Sequence, residues 1–202
     1  MESLLHRKEQ LVITAVDIIN ELGIQGLSTR EIARRLGVSE ATLFRHFKSK
    51  NELIAAVLDY FTQFDEDIIQ TIKLKQLPPK EAIIFMVSSY AEYYENYPAI
   101  TSIMQLFDVL RYETELTKKI KDIVSKRTAL VMELIRDAQK AGEINPALDC
   151  TCITDIITGF IREICLNWRI GNYEFSFRKQ IMDTLELVLS SLSMNGHEML
   201  QN

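Results

Sequence analysis

The sequence is poor in the residues that interrupt helices. Its 202 residues include only seven glycines and four prolines, whereas 47% are hydrophobic and 25% are charged. So few turn-forming residues favour long helices joined by short loops over a strand-rich fold with many turns. The hydrophobic and charged fractions are typical of a globular protein and exclude a disordered chain. We therefore expect an ordered, helical protein of one or two small domains.

Targeting and membrane-spanning patterns are also missing. The first ten residues carry Glu2, Arg7, Lys8 and Glu9 where a signal peptide would have an apolar core. No stretch approaches the roughly 18 apolar residues that a membrane helix needs. We expect a protein of the cytoplasm that has no membrane partner.

Cysteine and histidine are scarce, which bears on metal and redox chemistry. The cysteines are Cys150, Cys152 and Cys165, and the histidines are His6, His46 and His197. An odd number of cysteines without a secretion signal indicates reduced thiols. The Cys-x-Cys spacing is not that of a metal site, although a redox role for this pair stays open. Nothing groups a serine, a histidine and an aspartate, so we expect no metal, no cofactor and no catalytic site.

Charge is distributed unevenly along the chain. The net charge of −5 argues against a protein that coats nucleic acid indiscriminately. Residues 1–50 nevertheless carry a balance of +2, and residues 51–202 carry −7. A small basic region on an acidic remainder suits local contact with DNA.

The first segment has the pattern of an amphipathic helix. Its apolar residues recur at intervals of three and four, at Val12, Ala15, Val16, Ile19 and Leu22. Gly23 is expected to end this helix, because glycine adopts the left-handed conformation cheaply. Residues 28–31, Ser-Thr-Arg-Glu, fit a capping box and predict a short second helix that ends at Leu36.

A glycine turn and two further start signals follow. Gly37 permits a sharp turn, after which Ser39 is expected to cap a third helix over residues 40–47. Residues 49–52, Ser-Lys-Asn-Glu, form another capping box and predict a long fourth helix that continues through Phe64.

The remainder of the chain also shows a helical pattern without internal repeats. We expect further helices near 80–96, 98–111, 113–141, 149–171 and 175–193. The predicted fold class is all-α, with about nine helices. A three-helix helix-turn-helix head in residues 1–50 would bind DNA, and a larger C-terminal helical bundle in residues 51–202 would bind a ligand and dimerise.

The most informative stretch is residues 28–50, STREIARRLGVSEATLFRHFKSK. Two short helices joined by a glycine turn have the geometry of a helix-turn-helix, and Ala33 is small where the helices should cross. The apolar set that would hold them together is Ile32, Leu36, Val38 and Leu43. This stretch resembles the TetR family of bacterial regulators. The matching positions are Thr29, Ile32, Ala33, Gly37, Val38, Ser39, Thr42, Leu43, His46, Phe47, Lys50 and Leu53.

The resemblance implies contacts with double-stranded operator DNA. Base contacts would come from Glu40, Ala41, Thr42 and Arg45, and the positions assigned to phosphate contacts are Thr29, Phe44, His46 and Lys50. Phe44 departs from the family, which usually has a tyrosine whose hydroxyl reaches a phosphate. Whether position 44 contacts the DNA backbone is therefore left open. Independently, an arginine can fork onto guanine O6 and N7, and Thr29 and Lys50 lie at predicted helix N-termini that favour phosphate. The alternative is that these residues are ordinary solvated charges.

The last two helices have apolar faces that are suitable for dimerisation. The candidate interface residues are Ile153, Ile157, Phe160, Ile164, Ile181, Leu185, Val188 and Leu192. The family builds its dimer from its last two helices as a four-helix bundle, and a two-fold dimer would read a near-palindrome. The alternative is that both helices complete a monomeric core.

The resemblance also implies a small effector in the C-terminal region. Candidate lining residues are Met86, Tyr90, Tyr93, Met104, Phe107, Tyr112, Met132 and Trp168. This composition favours a hydrophobic effector such as an acyl chain or a drug over a sugar, although such residues can equally be plain core. The leading hypothesis is a non-enzymatic repressor that binds its operator as a homodimer and is released by an effector. The alternative is a DNA-bound protein-interaction factor without a small-molecule effector.

Overall fold

The computed structural model describes residues 2–193, with side chains from residue 7 onward. His197 lies outside the described residues, as does the side chain of His6. The described part contains no strand, which agrees with the predicted all-α class. It consists of α1 (Glu2–Gly26), α2 (Thr29–Leu36), α3 (Glu40–Phe44), α4 (Lys50–Phe61), α5 (Asp65–Lys75), α6 (Pro79–Asn96), a 3-10 helix (Pro98–Ile100), α7 (Thr101–Gln105), α8 (Phe107–Leu110), α9 (Thr114–Lys140), α10 (Cys150–Ile170) and α11 (Phe177–Ser191). Among these, no helix combines the length and the apolar character needed to cross a membrane.

The described residues form two compact units. The first unit comprises residues 2–64 and 97–123, and the second comprises residues 65–96 and 124–193. The chain therefore passes from one unit to the other three times. The predicted division at residue 50 concerns function, namely which part binds DNA and which part binds ligand and dimerises, and it stays a prediction.

The first helix follows its predicted apolar pattern except at Leu22, the last residue of that pattern. Val12, Ala15, Val16 and Ile19 are buried, and Gly23 breaks the helical conformation with a φ of 68°. Leu22, by contrast, is 52% exposed. After the break at Gly23 the chain turns back so closely that a Cβ at Gly26 would lie 2.3 Å from Cβ of Leu22. Leu22 therefore covers this turn instead of joining the core.

Two predicted helices are divided into shorter ones. The predicted fourth helix ends at Phe61, and α5 begins at Asp65 after a turn. The predicted helix over 98–111 becomes the 3-10 helix, α7 and α8. In this segment the hydroxyls of Thr101 and Ser102 each donate to a carbonyl three residues earlier, at 2.7 Å. Such bonds compete with the backbone pattern of a continuous α-helix.

The second unit is built around α6, α10 and α11. Helix α11 packs against both α6 and α10. Ile83, Ile157 and Ile181 are among the apolar side chains that this packing buries. At the end of α10 the indole of Trp168 donates to the Phe175 carbonyl at 2.8 Å, and its ring stacks on Phe177. The aromatic cluster thus fixes the turn between α10 and α11.

Candidate nucleic-acid interface

Helices α2 and α3 form the predicted helix-turn-helix. Ser28 caps α2 by accepting a hydrogen bond from the Glu31 amide at 3.2 Å. Gly37 ends α2 in the left-handed conformation, with φ 64° and ψ 32°, which a side chain would strain. Ile32, Ala33 and Leu43 are buried where the two helices meet, as the sequence predicts.

The predicted cap of α3 is wrong. Ser39 precedes α3 but its side chain bonds no amide at the helix start. Its hydroxyl lies 3.1 Å from the hydroxyl of Thr42 instead. The helix is also shorter than predicted, because it ends at Phe44 and leaves Arg45 at its C-terminal boundary. Spacing alone cannot distinguish a capping hydroxyl from one that bonds a neighbouring side chain.

The residues assigned to base contacts lie on the surface of α3. Glu40, Ala41 and Arg45 are exposed, and Thr42 is half-buried. Within the described part of the chain, Arg45 forms no ion pair and no hydrogen bond. Its guanidinium keeps all five N–H donors for an external partner, which is the state that bidentate recognition of guanine requires.

A contact that the sequence did not predict joins the two helix starts. The Thr29 hydroxyl at the start of α2 donates to a carboxylate oxygen of Glu40 on α3 at 2.6 Å. Thr29 was assigned to phosphate and Glu40 to bases. A phosphate that accepts from Thr29 would displace the Glu40 carboxylate, which is then free to turn toward base edges.

Two capped helix N-termini border a small depression in the first unit. Ser28 caps α2, and Ser49 caps α4 by accepting from the Glu52 amide at 3.0 Å. The depression has a volume of about 260 Å³, and its lining residues are Leu27, Ser28, Thr29, Leu43, Phe44, Phe47, Ser49, Lys50 and Leu53. Helix N-termini attract phosphate through free amides and the helix dipole. Thr29 and Lys50 are the first residues of α2 and α4, as predicted.

Phe44 and His46 complete the set assigned to phosphate. Phe44 is 55% exposed beside this depression, so it offers an apolar ring where the family usually has a hydroxyl. His46 is half-buried. The Lys50 ammonium lies 3.4 Å from the Ile24 carbonyl, a long contact that an incoming phosphate can replace.

An ion-pair network fixes α2 against α1. Glu31 binds both Arg34 and Arg35, and Arg35 also binds Glu21 of α1 at 2.7 Å. The two arginines lower the pKa of Glu31 to about 2. The capping box predicted at residues 28–31 is therefore only half formed, since the Glu31 carboxylate pairs with arginine. In the second predicted box, Glu52 accepts from the Lys48 amide at 2.6 Å.

The residues assigned to the effector pocket fall in both units. Met104, Phe107 and Tyr112 belong to the first, and the other five belong to the second. Tyr112 is 73% exposed and contacts Arg111, so it does not line an interior cavity. Trp168 is buried in the core, where its indole donates to the Phe175 carbonyl and its ring stacks on Phe177. We therefore withdraw these two residues from the predicted pocket.

The residues assigned to dimerisation are largely turned inward. Ile153, Ile157, Ile181 and Leu185 are at most 2% exposed, and Leu192 is also buried. They cannot form an intersubunit surface, because the chain's own core already covers them. Phe160, Ile164 and Val188 are half-buried. The apolar pattern identified two helices with apolar faces, but five of the eight residues assigned to the dimer lie on the side that faces the core.

The three cysteines form no disulfide with one another. Cys165 is buried, and Cys150 donates its thiol to the Met132 carbonyl at 3.4 Å. Cys152 is exposed, and the nearby Asp149 carboxylate raises the pKa of its thiol. A raised pKa leaves less thiolate and disfavours redox reactivity.

Models of known protein families match both the N-terminal head and the remainder of the chain. The model of the bacterial regulatory proteins of the tetR family matches residues 11–57, and the model of the YsiA-like protein C-terminal region matches residues 58–191. The fatty acid metabolism regulator protein of Bacillus subtilis (strain 168) is 24% identical over 184 residues, covering 91% of this chain and 94% of that protein.

Two further comparisons differ in how much of the chain they cover. The crystal structure of the transcriptional regulator FadR from Bacillus subtilis in complex with stearoyl-CoA has a TM-score of 0.78 and 23% identity. It covers 90% of this chain and 97% of that one. The nucleoid occlusion factor SlmA of Haemophilus ducreyi is 25% identical over 120 residues, covering 59% of each protein. Because the two family models together span residues 11–191, the chain is a member of the TetR family of bacterial transcriptional regulators.

Proposed function

We propose that this regulator is a cytoplasmic repressor that binds a near-palindromic operator as a homodimer and is released by a fatty acyl-CoA. The observation that carries operator binding is the exposed Arg45 at the C-terminal boundary of α3, which forms no ion pair with any residue that the structure describes and lies in the same unit as two capped helix N-termini. Phosphates held at Thr29 and Lys50 would set the register of α3 on the duplex, and Arg45, Glu40, Ala41 and Thr42 would read bases.

The dimer surface requires the outward faces of α10 and α11. Among the exposed residues of α10, one stripe has intervals of four and three, namely Cys152, Ile156, Gly159, Glu163, Leu166 and Ile170. Ile170 is 71% exposed, and Leu187 on α11 is 72% exposed. Nothing lies within 4 Å of the position of a Cβ on Gly159, so a partner side chain can approach the backbone there. This stripe has the spacing of a helix-bundle seam, and we assign the four-helix dimer to it.

The effector assignment rests on the whole-chain likeness to regulators of fatty acid metabolism. One of these binds stearoyl-CoA, and the likeness includes the C-terminal region. In the second unit, Met86, Tyr90, Tyr93 and Met132 remain as predicted lining residues, and their apolar and aromatic character suits an acyl chain. Met104 and Phe107 of the first unit also stay predictions.

A protein-interaction factor without an effector is the second candidate. The similarity to the nucleoid occlusion factor favours it, but that similarity covers 59% of the chain, whereas the fatty acid regulator covers 91%. We therefore place the acyl-CoA-responsive repressor first.

Selection from random double-stranded DNA, followed by sequencing, tests the proposal. Enrichment of a near-palindrome is the expected result, and stearoyl-CoA should then release the purified protein from that sequence. Octanoyl-CoA and free coenzyme A serve as controls for chain length and for the nucleotide part. A palindrome that is bound equally well with and without every acyl-CoA would support the interaction factor instead. No enriched sequence would overturn operator binding.

A further inference from the structure

A group of polar side chains in the second unit lies outside the set assigned to DNA contact. The guanidinium of Arg127 on α9 forms a two-pronged ion pair with Asp65 of α5. Its Nε lies 2.8 Å from Oδ2, and its Nη2 lies 2.7 Å from Oδ1. Nη1 of Arg127 also donates to the hydroxyl of Tyr94 on α6 at 3.1 Å. The Tyr90 hydroxyl donates to Asp65 at 3.0 Å, and its ring lies 4.9 Å from the guanidinium. We call these four residues the Arg127 cluster.

The position of the cluster along the chain is its distinctive feature. The chain passes between the two units after residues 64, 96 and 123. Asp65 is the first residue after the first crossing, Tyr94 lies two residues before the second, and Arg127 follows closely after the third. One guanidinium therefore joins, within the second unit, the three segments that lead to the first unit.

The hydrogen bonds and burial of the Arg127 cluster favour a single arrangement of its four side chains. Tyr94 is buried, and the side chains of Arg127 and Asp65 are only 21% and 23% exposed. Burial raises the pKa of both tyrosines, so their hydroxyls keep their protons. A planar guanidinium with a two-pronged partner tolerates little rotation, unlike the single contact of a lysine. Loss of Arg127 removes two hydrogen bonds to Asp65 and one to Tyr94 at a largely shielded position, where lost hydrogen bonds are costly.

Tyr90 connects this cluster to the predicted effector site. It is one of the residues that the sequence assigns to the pocket, and its hydroxyl is bonded to Asp65. An acyl chain that moves the Tyr90 ring would alter the support of Asp65 at the first crossing.

We propose that Arg127 is the positioning residue through which effector binding in the second unit reaches the DNA-binding unit. It holds the three connecting segments in one arrangement, so that a change at Tyr90 moves them together. This inference rests on the proposed effector response for its physiological meaning, but the link between the three segments can be tested without it.

The first experiment measures operator affinity with and without stearoyl-CoA for the parent and for Arg127→Lys. Lysine keeps the charge and loses the fork. Coupling between two sites typically changes affinity by about 5- to 150-fold, and we expect this ratio to fall toward one in the variant. Binding of stearoyl-CoA to the DNA-free protein should be retained, since the coupling free energy is distinct from the free energy with which either ligand binds alone. Arg178→Lys is the matched control, because Arg178 also lies in the second unit and bonds Ser88 on the surface.

The outcomes separate the two proposals. A parent that does not respond to stearoyl-CoA contradicts the effector assignment alone. Hydrogen exchange then decides the role of Arg127. In Arg127→Lys, amides at residues 62–66, 94–98 and 122–128 should lose protection together, whereas loss at 122–128 only would overturn the proposal. Where the parent does respond to stearoyl-CoA, an equal response from Arg127→Lys would overturn the proposal directly. Should Arg127→Lys fail to fold, Tyr94→Phe, which removes one hydroxyl, provides both readouts.

Discussion

The helix-turn-helix and the Arg127 cluster both consist of charged and hydroxyl side chains, but they are assembled over different distances along the chain. Ser28 bonds an amide three residues away, and Thr29 reaches a carboxylate eleven residues away. Arg127 reaches Asp65 across 62 residues and Tyr94 across 33. Local spacing is visible in a single sequence, whereas contacts made by the tertiary fold are not. The helix-turn-helix could therefore be predicted from the sequence, whereas the Thr29–Glu40 contact and the polar group at the crossings could not.

The largest effect is expected from a substitution in the second unit, outside the residues assigned to DNA contact. Leu187→Arg places a charge on the proposed dimer stripe, where Leu187 is 72% exposed in the single chain. Because two linked half-sites bind far more tightly than one, the resulting monomer should lose roughly 100-fold or more in operator affinity. Analytical ultracentrifugation and a binding titration measure both consequences.

Leu74→Arg is the matched control for that substitution. Leu74 is 83% exposed on α5, in the same unit but on a helix outside the proposed interface. It should leave both the dimer and operator affinity unchanged. A Leu187→Arg protein that still sediments as a dimer would contradict the assignment of the outward stripe.

The dimer residues show where sequence reasoning reached its limit. The periodicity of α10 marks it correctly as a helix with a broad apolar surface. Ile153 and Ile156 are both apolar, yet Ile153 is buried and Ile156 is 48% exposed. Which side meets the core depends on α6 and α11, which are distant in sequence. In the head, by contrast, Ile32 and Leu43 lie on the predicted apolar faces of their short helices, and both are buried as the pattern predicts.

The second prediction separates base contacts from phosphate contacts within the head. Arg45→Ala should cost about 1–3 kcal/mol of specific binding and relax the preference at one base pair. Lys50→Ala should weaken binding to all sequences alike and reduce the salt slope by about one, because it removes a phosphate contact. Titrations on the selected operator and on a scrambled duplex at several salt concentrations distinguish the two. Equal operator binding by Arg45→Ala and the parent would refute the base contact.

The third prediction concerns Gly37, which forms the turn between α2 and α3 of the head. Gly37 has a φ of 64°, so alanine there is forced into the left-handed region at a cost of about 1–2 kcal/mol. Asparagine tolerates this conformation better and should cost less. Chemical denaturation of the parent, Gly37→Ala and Gly37→Asn gives the order. Equal stability of the alanine and asparagine variants would mean that the left-handed conformation does not limit this turn.

The smallest effect is expected from the ion pairs that Glu31 forms with Arg34 and Arg35 within α2. Hydrogen bonds from Arg34 and Arg35 lower the pKa of Glu31 from its ordinary 4.5 to about 2. A lowered folded-state pKa means that the stabilisation is fully present above the ordinary value and is lost as the pH falls toward 2. Glu31→Gln should therefore lower Tm slightly at pH 7, and the difference from the parent should shrink as the pH falls from about 4.5 toward 2. Glu133→Gln, an exposed change on α9 outside the proposed interface, should lower Tm at neither pH. A difference at Glu31 that persists unchanged at pH 2 would show that its carboxylate acts through packing and not through its charge.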